Sequence, residues 1–328
     1  MKFGMQGLVP LSRKEPRNID MRYYVILPII SILFLVSCNN QSPPLKSSSP
    51  YEIVSIDDLG REVRFNHPPQ KIVSLDPSVT EILFVLGLDN EVVGVTDYCD
   101  YPEGAKFKSK VGGYLDPNIE AIALLEPDLV ATTLKTNTPG LIKQLENFGI
   151  KVFVLDPKNI EDIFHNISSL AKLTSREEKA KPLITTLKER LSEVKRKVNG
   201  ICRPSVFLEM GADPLISVGP GSFASDLIEI AGGRNVFSHS SSRYRRFTLE
   251  EVLLADPEVI IICSMISDDS CLAQKGWWER WTSMSAVRNG RIFVVEADLI
   301  TRPGPRMIDG LVEIAKAIHP EIFQEPKR

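Results

Sequence analysis

A fifteen-residue pattern of apolar and polar positions occurs twice in the chain, in register and without a gap, at residues 118–132 and 248–262. Each copy begins with a residue that favours a helix N-cap, Asn118 or Thr248, and carries a Glu two residues later, where a carboxylate is stabilised by the helix dipole. In each copy a mainly apolar stretch follows, which ends at an acidic residue and a Pro. The segment after the Pro is rich in β-branched residues and predicts a strand. A duplicated helix–strand unit predicts two similar lobes with a cleft between them.

Similar patterns flank each copy. Apolar segments predict strands at residues 71–75, 151–155, 205–210 and 291–295. A capping-box pattern from Ser78 to Glu81 predicts a helix that ends at Gly87, and a second helix is expected at residues 222–231. This alternation of strands and helices predicts an α/β fold with two Rossmann-like lobes, each built on a parallel sheet.

The segment between the halves is almost wholly helical in pattern. Its apolar positions fall at helical spacing, at Ala180, Leu183, Ile184, Leu187, Leu191, Val194 and Val198. We expect one long helix that joins the lobes and ends at Asn199-Gly200. Because a Pro inside a helix removes a hydrogen bond, Pro182 predicts that the helix begins nearer Lys181. The expected domains are an N-terminal lobe at 51–157, a connecting segment at 158–200 and a C-terminal lobe at 201–328.

The N-terminal region carries a targeting signal. Met21-Arg22 precedes an apolar run over residues 23–36, which is shorter than the roughly 20 apolar residues that a membrane span needs. Small residues precede Cys38, as in the bacterial lipobox. We therefore expect a signal peptide at 1–38, with translation beginning at Met21, lipidation of Cys38, and a flexible Ser- and Pro-rich tether at 39–50. A lipid-anchored domain outside the cytoplasmic membrane follows, either periplasmic or on the cell surface.

The composition of the chain argues against a nucleic-acid-binding protein and against a metal-binding protein. The chain has 328 residues, 43% hydrophobic and 25% charged, with a net charge of −3, so it has no basic footprint for nucleic acid. Beyond Cys38, the four cysteines Cys99, Cys202, Cys263 and Cys271 fit no metal motif, and all three pairings stay open, Cys263–Cys271 among them. The histidines His67, His165, His239 and His319 are scattered. We expect no resident metal and no cofactor.

An enzyme is not expected. The sequence has no Gly-x-Ser-x-Gly elbow, phosphate loop or dinucleotide fingerprint, and Ser222 is better placed as a helix N-cap. The cluster Trp277, Trp278 and Trp281 has helical spacing and predicts core packing, with a place at the cleft mouth as the alternative.

Several segments resemble a known family. Residues 71–81 (KIVSLDPSVTE), residues 97–102 (DYCDYP), the duplicated Glu motif and residues 302–306 (RPGPR) are similar to substrate-binding proteins of ABC importers for cobalamin, haem and ferric siderophores. The resemblance implies two lobes joined by one long helix, a monomer, and delivery to a permease dimer with a cytoplasmic ATPase. It further implies that Glu120 and Glu250, one per lobe, dock into Arg pockets on the permease.

Ligand-binding candidates come from loops that follow predicted strands. They are Tyr98, Tyr101, Tyr114, Tyr244, Arg245, Arg246, Asp298 and Arg302. Residues 96–102 are similar to a loop of vitamin B12-binding proteins, which implies cobalamin or a related corrinoid as the small-molecule ligand. Tyr98, Asp298 and Arg302 match cleft residues of those proteins, whereas Tyr114 and Tyr244 stand where the best-studied type has Trp.

Three alternatives stay open. Haem would take a Tyr as axial ligand. An anionic ferric siderophore would be favoured by the cations Arg243, Arg245, Arg246, Arg302 and Arg306. A ligand-binding sensor subunit would share the cleft but serve a signalling partner in place of an importer.

Overall fold

The computed structural model describes residues 52–134, 139–264 and 268–323. The predicted signal peptide, the lipidation site Cys38 and the tether at 39–50 lie outside these residues. Within the described part of the chain, no helix combines the length and apolar character that crossing a membrane requires.

The first lobe is built on a five-stranded sheet in which every pair of neighbours is parallel. An antiparallel pair, β1 and β2, precedes the sheet, whose strand order is β5-β4-β3-β6-β7. The strands are β1 (Ile53–Ile56), β2 (Glu62–Phe65), β3 (Ile72–Ser74), β4 (Val92–Val95), β5 (Ser109–Lys110), β6 (Leu129–Thr133) and β7 (Lys151–Leu155). The helices are α1 (Pro77–Val85), α2 (Ile119–Leu124) and α3 (Pro139–Asn147). The predicted parallel sheet is confirmed, while β4 and β5 were not anticipated.

Two helices connect the lobes: α4 (Ile160–Leu173) and α5 (Glu177–Lys197). A single long connecting helix is therefore not confirmed. The chain breaks between them at Ser175, whose φ of 54° is left-handed and cannot continue an α-helix. The expected start near Lys181 is wrong, because α5 begins at Glu177 and contains Pro182 in its exposed N-terminal part, where water can satisfy the carbonyl that loses its partner.

The second lobe combines two sheets. Its parallel sheet has the order β11-β8-β13-β14, and an antiparallel sheet that was not anticipated has the order β12-β10-β9. The strands are β8 (Ser205–Glu209), β9 (Gly211–Ala212), β10 (Leu215–Val218), β11 (Arg234–Asn235), β12 (Tyr244–Arg246), β13 (Val259–Ser264) and β14 (Ile292–Glu296). The helices are α6 (Phe223–Ile230), α7 (Leu249–Ala255), α8 (Asp268–Glu279), α9 (Ser285–Arg288), α10 (Ala297–Thr301), α11 (Met307–Ile318) and α12 (Pro320–Phe323).

The repeated sequence folds into the same local unit in both lobes. The Asn118 side chain accepts a hydrogen bond from the Ala121 N–H (2.8 Å), and Thr248 accepts one from the Glu251 N–H (3.2 Å). Each copy ends at a left-handed acidic residue before Pro: φ is 49° at Glu126 and 39° at Asp256. The predicted N-caps and helix stops are confirmed.

The N-cap predicted for the first helix of the first lobe, Ser78, was wrong by two residues. Asp76 caps α1 and accepts the Ser78 N–H at 2.8 Å, with Pro77 in the first turn, a position where Pro costs no hydrogen bond. In the second lobe, Ser222 caps α6 as expected, accepting the Ser225 N–H at 3.2 Å. The predicted core role of the tryptophans is also confirmed, since Trp278 is fully buried and Trp277 and Trp281 pack around it.

One apolar core extends through both lobes. Buried residues of α1, α4, α5, α6 and α11 belong to the same cluster, which includes Leu83, Ile167, Leu187, Leu227 and Ile314. The lobes are therefore held together by shared apolar burial as well as by the connecting chain.

A buried ion pair adds a polar link between the lobes. Glu81 of α1 accepts two hydrogen bonds from the Arg306 guanidinium, at 3.0 and 2.7 Å, and its side chain is 3% exposed. Burial raises the pKa of Glu81 even though Arg306 opposes the shift. Desolvation of the carboxylate therefore outweighs the stabilisation that Arg306 gives to its charged form.

Replacing Glu81 by Ala should lower the free energy of unfolding by about 3 kcal/mol, because the largely buried Arg306 guanidinium loses its closest carboxylate and keeps only Glu296, at 3.6 Å. Urea denaturation would measure the change. Glu178→Ala is the matched control, since Glu178 pairs with Lys181 on the exposed face of α5; we expect no measurable effect there. Equal stability of the two variants would contradict the importance of the inter-lobe pair.

Candidate ligand cleft

A cavity of about 490 Å³ opens between the lobes. Its first-lobe wall comes from residues at or just after the carboxyl ends of four parallel strands, where open α/β sheets bind ligands: Asp76 after β3, Tyr98 after β4, Thr133 at the end of β6 and Asp156 after β7. Its second-lobe wall is α10 and the turn that follows it, with Asp298, Thr301, Arg302 and Pro303.

Two tyrosines form an aromatic surface in this cavity. Tyr98 and Tyr114 meet edge to face with ring centroids 6.2 Å apart. Tyr98 is 58% exposed, so much of its ring is available to a ligand. Exposed rings at the mouth of a cavity can pack on a flat, apolar molecule.

Arg302 carries the positive charge of the cavity wall, and two carboxylates hold it. Its guanidinium donates to Asp100 Oδ1 at 2.7 Å and lies 2.9 Å from Asp298 Oδ2. Asp100 belongs to the first lobe, so this cluster bridges the cleft. Desolvation raises the pKa of Asp298, and repulsion from Asp100 adds to the rise. Partial burial also opposes ionisation of Asp100, but the Arg302 hydrogen bond and charge outweigh it and lower the pKa of Asp100.

Asp76 forms the floor of the cavity. It is buried and accepts the Thr133 hydroxyl at 2.6 Å in addition to the Ser78 N–H. These hydrogen bonds fix the orientation of the carboxylate in the cavity.

A second cavity of about 250 Å³ adjoins the first and shares Asp156 and Pro157 with it. Its other polar lining includes Lys158, Arg243 and Tyr244. Burial raises the pKa of Tyr244, although the charge of Arg243 opposes the rise, so the phenol is protonated at neutral pH. The two neighbouring cavities together make up the cleft, and each is lined by aromatic rings: Tyr98 and Tyr114 in the first, Phe223 and Tyr244 in the second.

The structure brings Tyr98, Tyr114, Asp298 and Arg302 together and places Tyr244 next to them. Tyr101 lies elsewhere: its ring is 3.7 Å from the Arg306 guanidinium and lines a separate cavity of about 500 Å³. A ligand role for Tyr101 stays a prediction.

Arg245 and Arg246 lie on the exposed strand β12 and line neither cavity of the cleft. Arg245 pairs with Glu251 and lies over the Phe247 ring, 4.2 Å from its centroid. A ligand role for these two arginines also stays a prediction.

Sequence reasoning missed four aspartates of the cleft and its mouth: Asp76, Asp100, Asp116 and Asp156. Asp76 and Asp156 lie within two residues of the ends of strands β3 and β7, so the strand-end rule that selected the tyrosines could have found them. Asp116 and Asp100 lie in longer loops, where no local pattern signals which way a side chain faces.

None of the described cysteine side chains lines either cavity of the cleft. Cys99, Cys202 and Cys263 are free thiols, and the side chain of Cys271 lies outside the described residues. Burial, with the charges of Asp298 and Glu209, raises the pKa of Cys263 to about 12. That thiol is therefore protonated and a poor nucleophile or metal ligand at neutral pH.

The two docking candidates occupy equivalent, exposed places. Glu120 and Glu250 lie in the first turns of α2 and α7. One turn further on, the matching leucines Leu124 and Leu254 are 83% and 86% exposed. Each lobe therefore presents a carboxylate next to an uncovered apolar side chain.

The cleft architecture has relatives among known proteins. The uncharacterized ABC transporter substrate-binding lipoprotein YvrC of Bacillus subtilis is 30% identical over 309 residues, which cover 90% of this chain and 96% of that one. The crystal structure of the periplasmic vitamin B12 binding protein BtuF of Vibrio cholerae has a TM-score of 0.70 at 27% identity, covering 79% of this chain and 100% of that one. A periplasmic haem binding protein from Pseudomonas aeruginosa has a TM-score of 0.70 at 25% identity, covering 79% and 95%.

The family comparison agrees with the geometry. Residues 72–299 match the periplasmic binding protein model, a span that runs from strand β3 into helix α10 and so includes the first-lobe wall of the cleft and Asp298 of the second. The chain belongs to the periplasmic binding protein family.

Proposed function

We propose that the protein is the lipid-anchored substrate-binding component of an ABC importer that captures cobalamin or a related corrinoid. The relative named as an ABC transporter substrate-binding lipoprotein supports the importer role and implies an extracytoplasmic location. The lipobox at Cys38 supports the anchor. The ligand is bound without chemical change and delivered to a permease dimer powered by a cytoplasmic ATPase.

The charge of the residues that line the main cavity is the observation that favours a corrinoid over the alternative ligands. Among the described residues that line it, four are aspartates, Asp76, Asp116, Asp156 and Asp298, and one is an arginine. A corrinoid suits this surface because its cobalt ring is cationic and its edge is lined with amides, whose N–H groups donate to carboxylates. Haem propionates and carboxylate siderophores would face like charges.

The arginines that favoured an anionic siderophore are largely engaged. Arg306 pairs with Glu81, Arg245 with Glu251, and Arg302 with both Asp100 and Asp298. Arg243 and Arg246 are the two exceptions: Arg243 lies in the adjoining cavity together with Lys158, and Arg246 lies on the exposed strand β12 outside both cavities of the cleft.

The shape of the cleft also fits. A corrinoid is larger than the main cavity, so it would extend into the adjoining one. There Arg243 could meet the phosphate of its nucleotide loop, whereas Lys158 already pairs with Asp156. Tyr244 could pack opposite Tyr98 and Tyr114. The ligand would thus place its cationic ring among aspartates and its phosphate near cations.

The test is a set of binding titrations with purified protein, using cyanocobalamin, dicyanocobinamide, haemin and a ferric hydroxamate. We expect stoichiometric binding of both corrinoids, and affinities for haemin at least about tenfold weaker, a difference of about 1.4 kcal/mol. Stoichiometric haemin binding with no corrinoid binding would overturn the ligand assignment while leaving the importer role in place.

A further inference from the structure

Arg302 is the only Arg or Lys among the described residues that line the main cavity. Asp100, which belongs to the opposite lobe, forms an ion pair with it. We propose that Asp100 is a specificity-determining residue: by pairing with Arg302, it prevents anionic ligands from binding to that guanidinium. The inference rests on the proposed function only in placing the ligand in this cavity.

The existing contacts of Arg302 leave little of its guanidinium available for a ligand to bind. Its side chain is 14% exposed, and its two terminal nitrogens point at different carboxylates, Asp100 at 2.7 Å and Asp298 at 2.9 Å. Asp298 lies four residues earlier, in the short helix α10 that Arg302 directly follows, so this pair is local to the second lobe. Asp100 comes from the other lobe and is itself half exposed, so it is the partner that a ligand could displace.

Two carboxylates around one guanidinium make the cluster net negative. A ligand carboxylate would have to displace Asp100 and leave it nearby as a repelling charge. A ligand amide, in contrast, can donate to either aspartate without breaking the bridge. The pKa values of the two aspartates shift in opposite directions. The pKa of Asp100 is lowered because Arg302 stabilises its ionised form. The pKa of Asp298 is raised because that carboxyl is desolvated and is repelled by the charge of Asp100.

Replacing Asp100 by Asn would keep the size of the side chain and leave Arg302 with one carboxylate. The cluster would become neutral, and the weaker amide partner would be easier to displace. We expect the affinity for haemin and for ferric citrate to rise about tenfold in Asp100→Asn, an order set by the removal of one like charge. The affinity for dicyanocobinamide should change less than about threefold.

Asp116→Asn is the matched control. Asp116 is also an exposed aspartate that lines the same cavity, but among the described residues the ion pairs of Arg302 are with Asp100 and Asp298 and not with Asp116. Its removal changes the cavity charge by the same amount without freeing Arg302. We expect its effect on anion affinity to be clearly smaller.

The outcomes separate the possibilities. Equal gains in the two variants would show that net cavity charge, and not Arg302, excludes anions, and would overturn the inference. No gain in Asp100→Asn, with thermal unfolding unchanged, would also overturn it. If that variant unfolds, Asp100→Ser provides the same comparison. A gain in anion affinity in a protein that binds no corrinoid would support the role of Asp100 and refute the proposed ligand.

Discussion

Replacing both Glu120 and Glu250 by Lys is expected to abolish ligand uptake by cells while leaving ligand affinity within about twofold of the parent. The two carboxylates are exposed, lie outside both cavities of the cleft, and occupy equivalent first turns of α2 and α7. Charge reversal would place Lys opposite the basic pockets that we propose on the permease. The measurement is corrinoid-dependent growth of a deletion strain, paired with titration of the purified variants.

Glu177→Lys is the control for this pair. Glu177 is exposed in the first turn of α5, so the reversal has a similar local cost at a helix N-terminus but lies outside the repeat. Uptake should be normal. Normal uptake by the double variant as well would contradict the docking assignment.

The surroundings of the two glutamates support their role in an interface. Leu124 and Leu254 are each one helical turn away and more than four-fifths exposed. A single exposed leucine needs no explanation. Two at equivalent places of a repeat, each beside a carboxylate, are what a partner with two similar sites would contact.

The second large effect is expected at the aromatic wall. Replacing Tyr98 and Tyr114 together by Ala should weaken cyanocobalamin binding about 100-fold, because burying two rings against a flat ligand contributes roughly 3 kcal/mol. Titration of the purified variant measures the loss, and thermal unfolding of the same sample checks that the variant is folded.

Phe107→Ala is the control for this wall. Phe107 is a strongly exposed aromatic residue outside both cavities of the cleft, so its removal should leave binding intact. If the Tyr98 and Tyr114 variant bound cyanocobalamin as the parent does, the ligand site would have to lie elsewhere.

Local units were well predicted from the chain. The N-caps Asn118, Thr248 and Ser222 and the acidic-Pro helix stops all lie where the pattern indicated. A cap acts within three or four residues and a Pro restricts its immediate neighbour, so these signals are contained in short stretches of sequence. The same locality explains the error at α1, where Asp76 and Ser78 were both adequate caps.

The antiparallel sheet β12-β10-β9 could not be predicted in the same way. Its strands are two to four residues long and pair across a loop and a helix. Such short segments have no reliable periodicity. As a result, the positions of Arg245 and Arg246 on that sheet, outside the cleft, followed only from the three-dimensional structure.

By itself, the sequence determined that the protein has two α/β lobes with duplicated helix–strand units, because the interactions that specify them are short in range. Only the tertiary structure decided which strand-end residues meet in the cleft and with what charge. The bond between Arg302 and Asp100 joins residues 202 positions apart. Such a contact depends on how the shared core of α1, α4, α5, α6 and α11 packs the lobes against each other, and no local pattern along the chain specifies that packing.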